Sequence, residues 1–296
     1  MTKARRLLSQ VSLASREDAE AGCREPFVDA ELYDREYRHR RADVTFYRRL
    51  ANNRMEFASG PILDLACGSG RLLFPLVRDG HSVVGLDRSQ PMLAAAVRRM
   101  RRLSPSRKRQ CTLLRADLRS YQLHAKASLA IAAFHSVQHL LGDEDILSFL
   151  RTTRANLMQG GWLAFDVLPP DPDWLGRDPN RRWGRTMLRH PVTQARQVYT
   201  TNHVFDPVSR LLHMRLYYQP VDEEGRPRGS ERTVRLCHRQ LWPDEVGRML
   251  EATGFRLMET FAGFEGTLLL DPAQAADEHV YVALAVGTAT PPTETA

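Results

Sequence analysis

Lysine is almost missing from this sequence. Lys3, Lys108 and Lys126 are the only lysines among 42 basic residues, so the net charge of +7 rests on arginine. That skew reads as codon-composition bias rather than a selected phosphate-binding face, which argues against a nucleic-acid partner. The densest cluster, Arg98 to Arg109, reads as the solvated side of a helix and its exit loop. Cysteine is scarce too. Cys23, Cys67, Cys111 and Cys237 lie far apart without a Cys-x-x-Cys, which excludes a disulfide framework or a thiolate metal site and fits a reducing cytoplasm. No apolar run approaches the ~20 residues of a membrane helix. Leu7 to Ala14 is interrupted by Ser9, Gln10 and Ser12 and is too polar for a signal-peptide core. No carboxylate set marks a Mg²⁺ site, no metal is expected, and no internal repeat is found. What remains is a 296-residue chain with 43% hydrophobic content, enough for one large core or one domain with an insertion.

The most informative stretch is Ile62-Leu63-Asp64-Leu65-Ala66-Cys67-Gly68-Ser69-Gly70-Arg71. A short apolar run ends in an acid, and a Gly-x-Gly turn opens a helix. Glycine lets the backbone bend sharply and, without a Cβ, lets a ligand lie against it. The next strand, His81 to Asp87, ends in a second acid, about twenty residues past the turn. That is where a doubly wound sheet presents a carboxylate to a ribose. A nucleoside ligand is predicted. A dinucleotide fingerprint would place Gly or Ala three residues after Gly70, and Leu73 stands there, so a nicotinamide oxidoreductase ranks low.

Asp-x-x-Cys-Gly-x-Gly-Arg, with an acid closing the following strand, resembles the first motifs of class I S-adenosylmethionine-dependent methyltransferases. The resemblance extends from about Tyr33 to Val286, and its specific part is Leu63 to Asp117. It is greatest to the small-molecule group that contains the glycine/sarcosine and amino-sugar N-methyltransferases. The resemblance implies S-adenosyl-L-methionine as cofactor. Gly68 and Gly70 would line its methionine end, with Ala66 beside them. Asp64 would orient its amino group or the turn, Asp87 would hold the ribose hydroxyls, and Met92 would lie against the adenine. Asp117 of Ala116-Asp117-Leu118 would accept from the adenine amino group, and Arg88, Leu118 and Phe134 would line the same ligand. Tyr33 would belong to a closing segment, and Arg40 or Arg41 would meet the methionine carboxylate; spacing alone does not choose between them, and Arg41 is carried as the candidate. His135-Ser136-Val137-Gln138-His139 falls where relatives face the methyl acceptor, which makes His135 and His139 the candidate bases for a hydroxyl acceptor.

The implied fold is α/β: a Rossmann-like, doubly wound, seven-stranded sheet with an inserted antiparallel β-meander. Residues 1–28 read as a loose polar arm. Residues 29–168 form the cofactor-binding core with N-terminal lid helices, residues 169–242 a long connection and the insert, residues 243–287 the closing part of the core, and 288–296 a frayed tail. Within the core, Asp143 to Gln159 reads as an amphipathic helix ended by Gly160-Gly161, with Trp162 to Val167 as the fifth strand. Pro169 to Pro191 shows no period. Arg196 to Phe205, Arg210 to Gln219 and Glu231 to Trp242 alternate as strands. In similar enzymes such an insert covers the substrate or forms a homodimer surface. The function expected is methyl transfer to a small-molecule acceptor, with an amine favoured over a hydroxyl. Two rivals remain. A nucleic-acid methyltransferase often carries Asn/Asp-Pro-Pro-Tyr where His135 to Gln138 stand, and a cofactor-binding relative would transfer no methyl.

Overall fold

Strand β1 (Ile62–Leu65) is buried along its whole length, as a strand covered on both faces must be. In the computed structural model, which describes residues 15–55, 60–271 and 276–286, it is an interior strand of a seven-stranded sheet. After it come β2 (Val83–Asp87), β3 (Cys111–Arg115), β4 (Ala127–Ala132) and β5 (Leu157–Val167). The next four strands are β6 (Trp183–Arg189), β7 (Arg196–Asp206), β8 (Leu211–Pro220) and β9 (Arg232–Arg239). The last two are β10 (Phe255–Ala262) and β11 (His279–Ala285). The large sheet runs β10-β11-β5-β4-β1-β2-β3. Its pairs from β5 to β3 are parallel, and β11 runs antiparallel to both β5 and β10. The chain leaves β1 in one direction along the sheet and later returns to its other side with β4. A ligand crevice in such a sheet opens at that reversal, beyond the carboxyl ends of the strands.

The chain folds as two compact units: residues 37–170 with 241 onward, and residues up to 36 with 171–240. In the larger unit, side chains fill both faces of the sheet. Phe46, Tyr47 and Leu50 pack with Leu73, Leu76 and Val77 on one; Phe149, Leu150, Val246 and Leu250 pack on the other. At about 25 cal/mol per Å² of apolar surface removed from water, these two layers are the main source of stability. Helix Gln90–Met100 starts at Ser89, whose hydroxyl accepts from the Met92 N–H, and Pro91 in its first turn removes an N–H that would have no partner there.

The smaller unit holds the antiparallel sheet β6-β7-β8-β9. Along β8 the burial alternates, the mark of a sheet packed on one face. Leu32 from helix Ala30–Tyr37 covers that face with Leu216, Tyr218 and Val234. Helix Arg16–Gly22 lies against β9, so close that a Cβ on Gly22 would fall 2.8 Å from the Cys237 nitrogen. Arg235 ties it down, with Nη1 2.7 Å from Asp18 Oδ1 and Nε 2.8 Å from Glu25 Oε1.

Three sequence expectations change. Residues 16–22, read as part of a loose arm, form a helix opened by a Ser15–Asp18 capping box; its polarity reflects ion pairing with β9 rather than disorder. The expectations for residues 1–14 and for the tail from 287 lie outside the described residues. Helix Asp143–Asn156 stops three residues early because the Asn156 side chain turns back, giving hydrogen bonds to Tyr121 O (3.0 Å) and Thr152 O (2.9 Å). The Gly160-Gly161 pair then lies inside β5, beside a register shift against β4, so it marks a bulge and not a helix stop. Finally, β6 lies in the stretch read as an aperiodic connection. It is an edge strand exposed along most of its length, so neither face imposes an apolar alternation.

Candidate active site

Past β1 the backbone takes left-handed dihedrals three times in five residues: Ala66 (φ 57°), Gly68 (φ 55°) and Gly70 (φ 86°). A Cβ at Gly70 would approach Phe74 Cε2 to 2.2 Å, so this glycine is required both by its dihedral and by space. A Cβ at Gly68 would come 3.1 Å from Met92 Cε, which puts the Met92 thioether against the glycine turn. Leu73 packs over Gly85 of β2, where a Cβ would meet it at 2.3 Å. The close helix–strand approach is thus made by a glycine on the strand. That leaves the helix free to carry Leu73 where a dinucleotide fold carries its third glycine.

Two acids stand at these strand ends. Asp87 is buried; Oδ2 accepts the Gly68 N–H at 2.7 Å and Oδ1 the Ser89 N–H at 2.7 Å. Burial raises its pKa above the usual carboxylate value despite both donors. The Arg88 backbone N–H bonds it as well, and of the about four lone-pair positions of a carboxylate at least one remains for a ligand hydroxyl. Asp64 is more deeply buried, and its Oδ2 has no hydrogen-bond partner. Burial pushes its pKa up to about 8, the Asp87 charge adding to the effect and Arg71 opposing it. An unpartnered buried carboxylate oxygen is costly unless a donor meets it. The ammonium of an amino acid, or of a methionine-derived cofactor, is such a donor. The carboxylates and the open glycine turn therefore fit S-adenosyl-L-methionine.

Arg71, the residue after Gly70, is a site residue that the sequence pattern does not assign. Its guanidinium forks onto Asp43, with Nη1 2.8 Å from Oδ1, and lies 4.4 Å above the Phe134 ring. Asp43 is 3% exposed, so the carboxylate of this pair is nearly desolvated while the Arg71 side chain stays about one-fifth exposed. The sequence signal, an arginine closing Gly-x-Gly-Arg and an acid in the preceding helix, is too generic to pair the two.

Asp117 faces a competitor. Arg119 grips it with two bonds, Nε–Oδ1 at 2.9 Å and Nη2–Oδ2 at 2.7 Å, and extends Nη1 to Asp145 at 2.8 Å. The pair holds the Asp117 carboxyl below its usual range. Leu118 is partly buried against the second core layer, and exposed Arg88 lends its carbonyl to Arg115.

The segment after β4 turns through Phe134 (φ 61°) and His135 (φ 58°), two consecutive left-handed residues that are not glycine. Phe134 also meets Tyr37 edge-on at 5.0 Å and stacks with His135 at 5.3 Å. His135 is buried; desolvation, with Arg40 and Arg71 nearby, drives its pKa down to about 3. Its Nε2 is 3.6 Å from Asp166 Oδ2. That distance is no hydrogen bond, and the imidazole is neutral at pH 7, so the contact is not an ion pair. Burial thus weakens His135 as a general base, because it penalises the cation the residue would become. His139 is half-buried at the end of the 3₁₀ turn Ser136–His139. The two histidines are four residues apart, a spacing that shares a face on an α-helix, but here the turn is 3₁₀ and begins at a left-handed residue. Among the described residues no group of three or more metal-ligating side chains converges.

Of the two candidate arginines, Arg40 is the one whose charge is felt at His135. Both are exposed, and Arg41 directs Nε to the Arg38 carbonyl at 3.4 Å. The break between helix Ala30–Tyr37 and helix Ala42–Met55 sends the neighbouring side chains different ways. Tyr33 belongs to the smaller unit, its ring 5.6 Å from that of Phe27.

The methyltransferase domain family matches residues 62–161. The chain is 28% identical, over 62% of its length and 79% of the relative's, to the dTDP-3-amino-3,4,6-trideoxy-alpha-D-glucopyranose N,N-dimethyltransferase of Streptomyces venezuelae. Its fold is similar to that of the CcbJ methyltransferase of Streptomyces caelestis, with a TM-score of 0.69 at 22% identity over 91% of this chain and 99% of that one. It is also similar to CalS10, an amino pentose methyltransferase from Micromonospora echinaspora, with a TM-score of 0.64 at 16% identity over 86% and 96% of the two chains. With its glycine turn, its two strand-end acids and its sheet order, the chain carries a methyltransferase domain over residues 62–161 and is similar in fold to S-adenosylmethionine-dependent methyltransferases.

Proposed function

We propose that the chain methylates an amine on a small molecule, and that an amino sugar is the class of acceptor it takes. One observation carries the preference for nitrogen. His135, in the segment after β4, is buried, which pushes its pKa down to about 3, whereas a hydroxyl or phenol acceptor would need a base effective near pH 7. An amine attacks through its neutral form and needs only placement. The name of the Streptomyces venezuelae relative, an N,N-dimethyltransferase of a nucleotide-linked amino sugar, supports the same choice.

In this reading Asp87 holds the ribose hydroxyls, Asp64 meets the cofactor ammonium, and Gly68 and Gly70 admit the methionine end. Met92 lies against the adenine, and Asp117 takes the adenine edge if Arg119 yields it. Arg40 replaces Arg41 as partner of the methionine carboxylate. The cofactor, when bound, supplies an already activated methyl group on sulfonium. The protein's share of the catalysis is to hold the acceptor nitrogen roughly 3–3.5 Å from the methyl carbon, in line with the departing sulfur and away from water. The proton released from the methylated nitrogen needs no buried base, since a secondary or tertiary ammonium can lose it to solvent.

The test is a panel. The chain is incubated with S-adenosyl-L-methionine and nucleotide-linked 3-amino sugars, their 3-hydroxy counterparts and bulk transfer RNA, and mass spectrometry reads the products. Methylation of the amino sugars alone is the expected result. Methylation of the hydroxy sugars or of RNA, with the amino sugars untouched, overturns the reading.

A further inference from the structure

The two left-handed residues after β4 have a shared cause. Asp166, near the end of β5, is fully buried. Its Oδ1 accepts the Phe134 N–H at 2.9 Å and the Tyr47 hydroxyl at 2.6 Å, and its Oδ2 accepts the His135 N–H at 2.8 Å. One carboxylate thus takes two successive backbone donors and a phenol. Residues of this kind resist left-handed dihedrals at a cost of roughly 1–2 kcal/mol each. Charge-assisted hydrogen bonds in a desolvated site are strong enough to offset such a cost.

The chemistry of the cluster is otherwise unemployed. Burial raises the Asp166 pKa to about 6 and the Tyr47 pKa well above its ordinary value. Neither side chain is exposed to a ligand. What the cluster controls is direction. With both N–H groups turned inward, the Phe134 ring is presented beneath the Arg71 guanidinium. Tyr47 brings helix Ala42–Met55 into the same network, and that helix also carries Asp43, the partner of Arg71.

We propose that Asp166 is a positioning residue for methyl transfer: by holding the Phe134 and His135 N–H groups it fixes the wall that the segment 134–139 presents to the acceptor. It touches no reactant itself. The inference rests on the proposed function, in which this segment faces the acceptor, and it adds the residue that shapes it. A structural residue alone would lower stability and leave the folded molecules equally active. A positioning residue changes turnover per folded molecule while cofactor affinity holds.

Asp166→Asn is the direct test in the full-length chain, because the amide keeps one acceptor oxygen and turns an N–H donor toward the other backbone N–H. Hydrogen exchange is read at the Phe134 and His135 amides, and calorimetry reads the affinity for S-adenosylhomocysteine. The kcat and KM are measured on whichever amine the panel yields. Expected are loss of protection at one or both amides, S-adenosylhomocysteine affinity within about twofold, and a kcat about tenfold to a hundredfold lower, the range that small misplacements cost. Tyr47→Phe removes the hydroxyl that shares Asp166 Oδ1 with the Phe134 N–H and so loosens the carboxylate's grip; a smaller loss of protection and of kcat is expected, and it serves if Asp166→Asn does not fold. Unchanged protection at both amides overturns the proposal, as does an unchanged kcat per folded molecule. A panel without any substrate refutes the amine reading alone, and the exchange result then decides this one.

Discussion

The ends of β1 and β4 solve the same problem with different means. Both must bend the chain through left-handed dihedrals beside the crevice. After β1 the bend is made by Gly68 and Gly70, with Ala66 as the one residue carrying a Cβ. After β4 it is made by Phe134 and His135, held there by a carboxylate 31 and more residues away. The first bend is encoded where it occurs. The second is imposed by tertiary structure, so it can place large side chains where a glycine would leave a gap. The lesson is that a site can spend glycines where a ligand must pass close to the backbone and hydrogen bonds where a wall is wanted.

The sharpest break in this comparison is Gly70→Ala. A methyl group there must both adopt φ 86° and displace Phe74 from 2.2 Å. The two effects together should cost about 3 kcal/mol, read as a shift in the urea midpoint, with cofactor binding lost. A variant of wild-type stability would mean that the turn relaxes freely and the contrast between the two ends is false. Arg71→Ala should cost less. Arg71 is the side chain that joins the two ends, paired with Asp43 below and Phe134 above. Losing it leaves a nearly buried carboxylate alone, at about 2 kcal/mol. In a double-mutant cycle Asp43→Asn should recover part of that loss; strict additivity would deny the coupling.

The smallest effect compares the two buried acids by pH. Asp64 titrates at about 8 and Asp166 at about 6, both raised by burial from 3.8. Each keeps its proton in the folded chain at pH values where the unfolded chain has released it. The stability so gained is complete below about pH 4 and disappears as pH climbs through the folded pKa. Between pH 6.5 and 7.5 the Asp166 share is largely spent and the Asp64 share is still falling. The cofactor-free protein should therefore lose about 1 kcal/mol over that unit. Asp64→Asn should flatten the slope and Asp166→Asn should not. An identical slope in Asp64→Asn would assign the proton elsewhere.

What could be read from the sequence follows the same division. Asp64, Gly68, Gly70 and Asp87 announce themselves because a strand, a turn and a helix are adjacent in the chain, and the seven-stranded sheet is what the family resemblance carried by that unit implies. The Asp166 network is invisible in the sequence because an acid near the end of an apolar strand has no local signature; its meaning is supplied by Tyr47 and by a turn that precedes it by some thirty positions. The Arg71–Asp43 pair fails to register for the same reason. Strand β6 escapes detection because an exposed edge strand buries no face, and helix Arg16–Gly22 because its stabilising partners, Arg235 and the backbone at Cys237, arrive more than two hundred residues later. Gly160-Gly161 misleads in the opposite sense, as the bulge of a strand has the same letters as the end of a helix.

That last distance has its own consequence for biosynthesis. The smaller unit is assembled from two pieces of chain with most of the larger unit between them. On the ribosome, Asp18 and Glu25 emerge early and have to wait for Arg235, while strands β1 to β5 are made and begin to pair. Loss of the piece that carries Leu32 would not shed an ornament; it would uncover Leu216, Tyr218 and Val234, the apolar face that Leu32 closes.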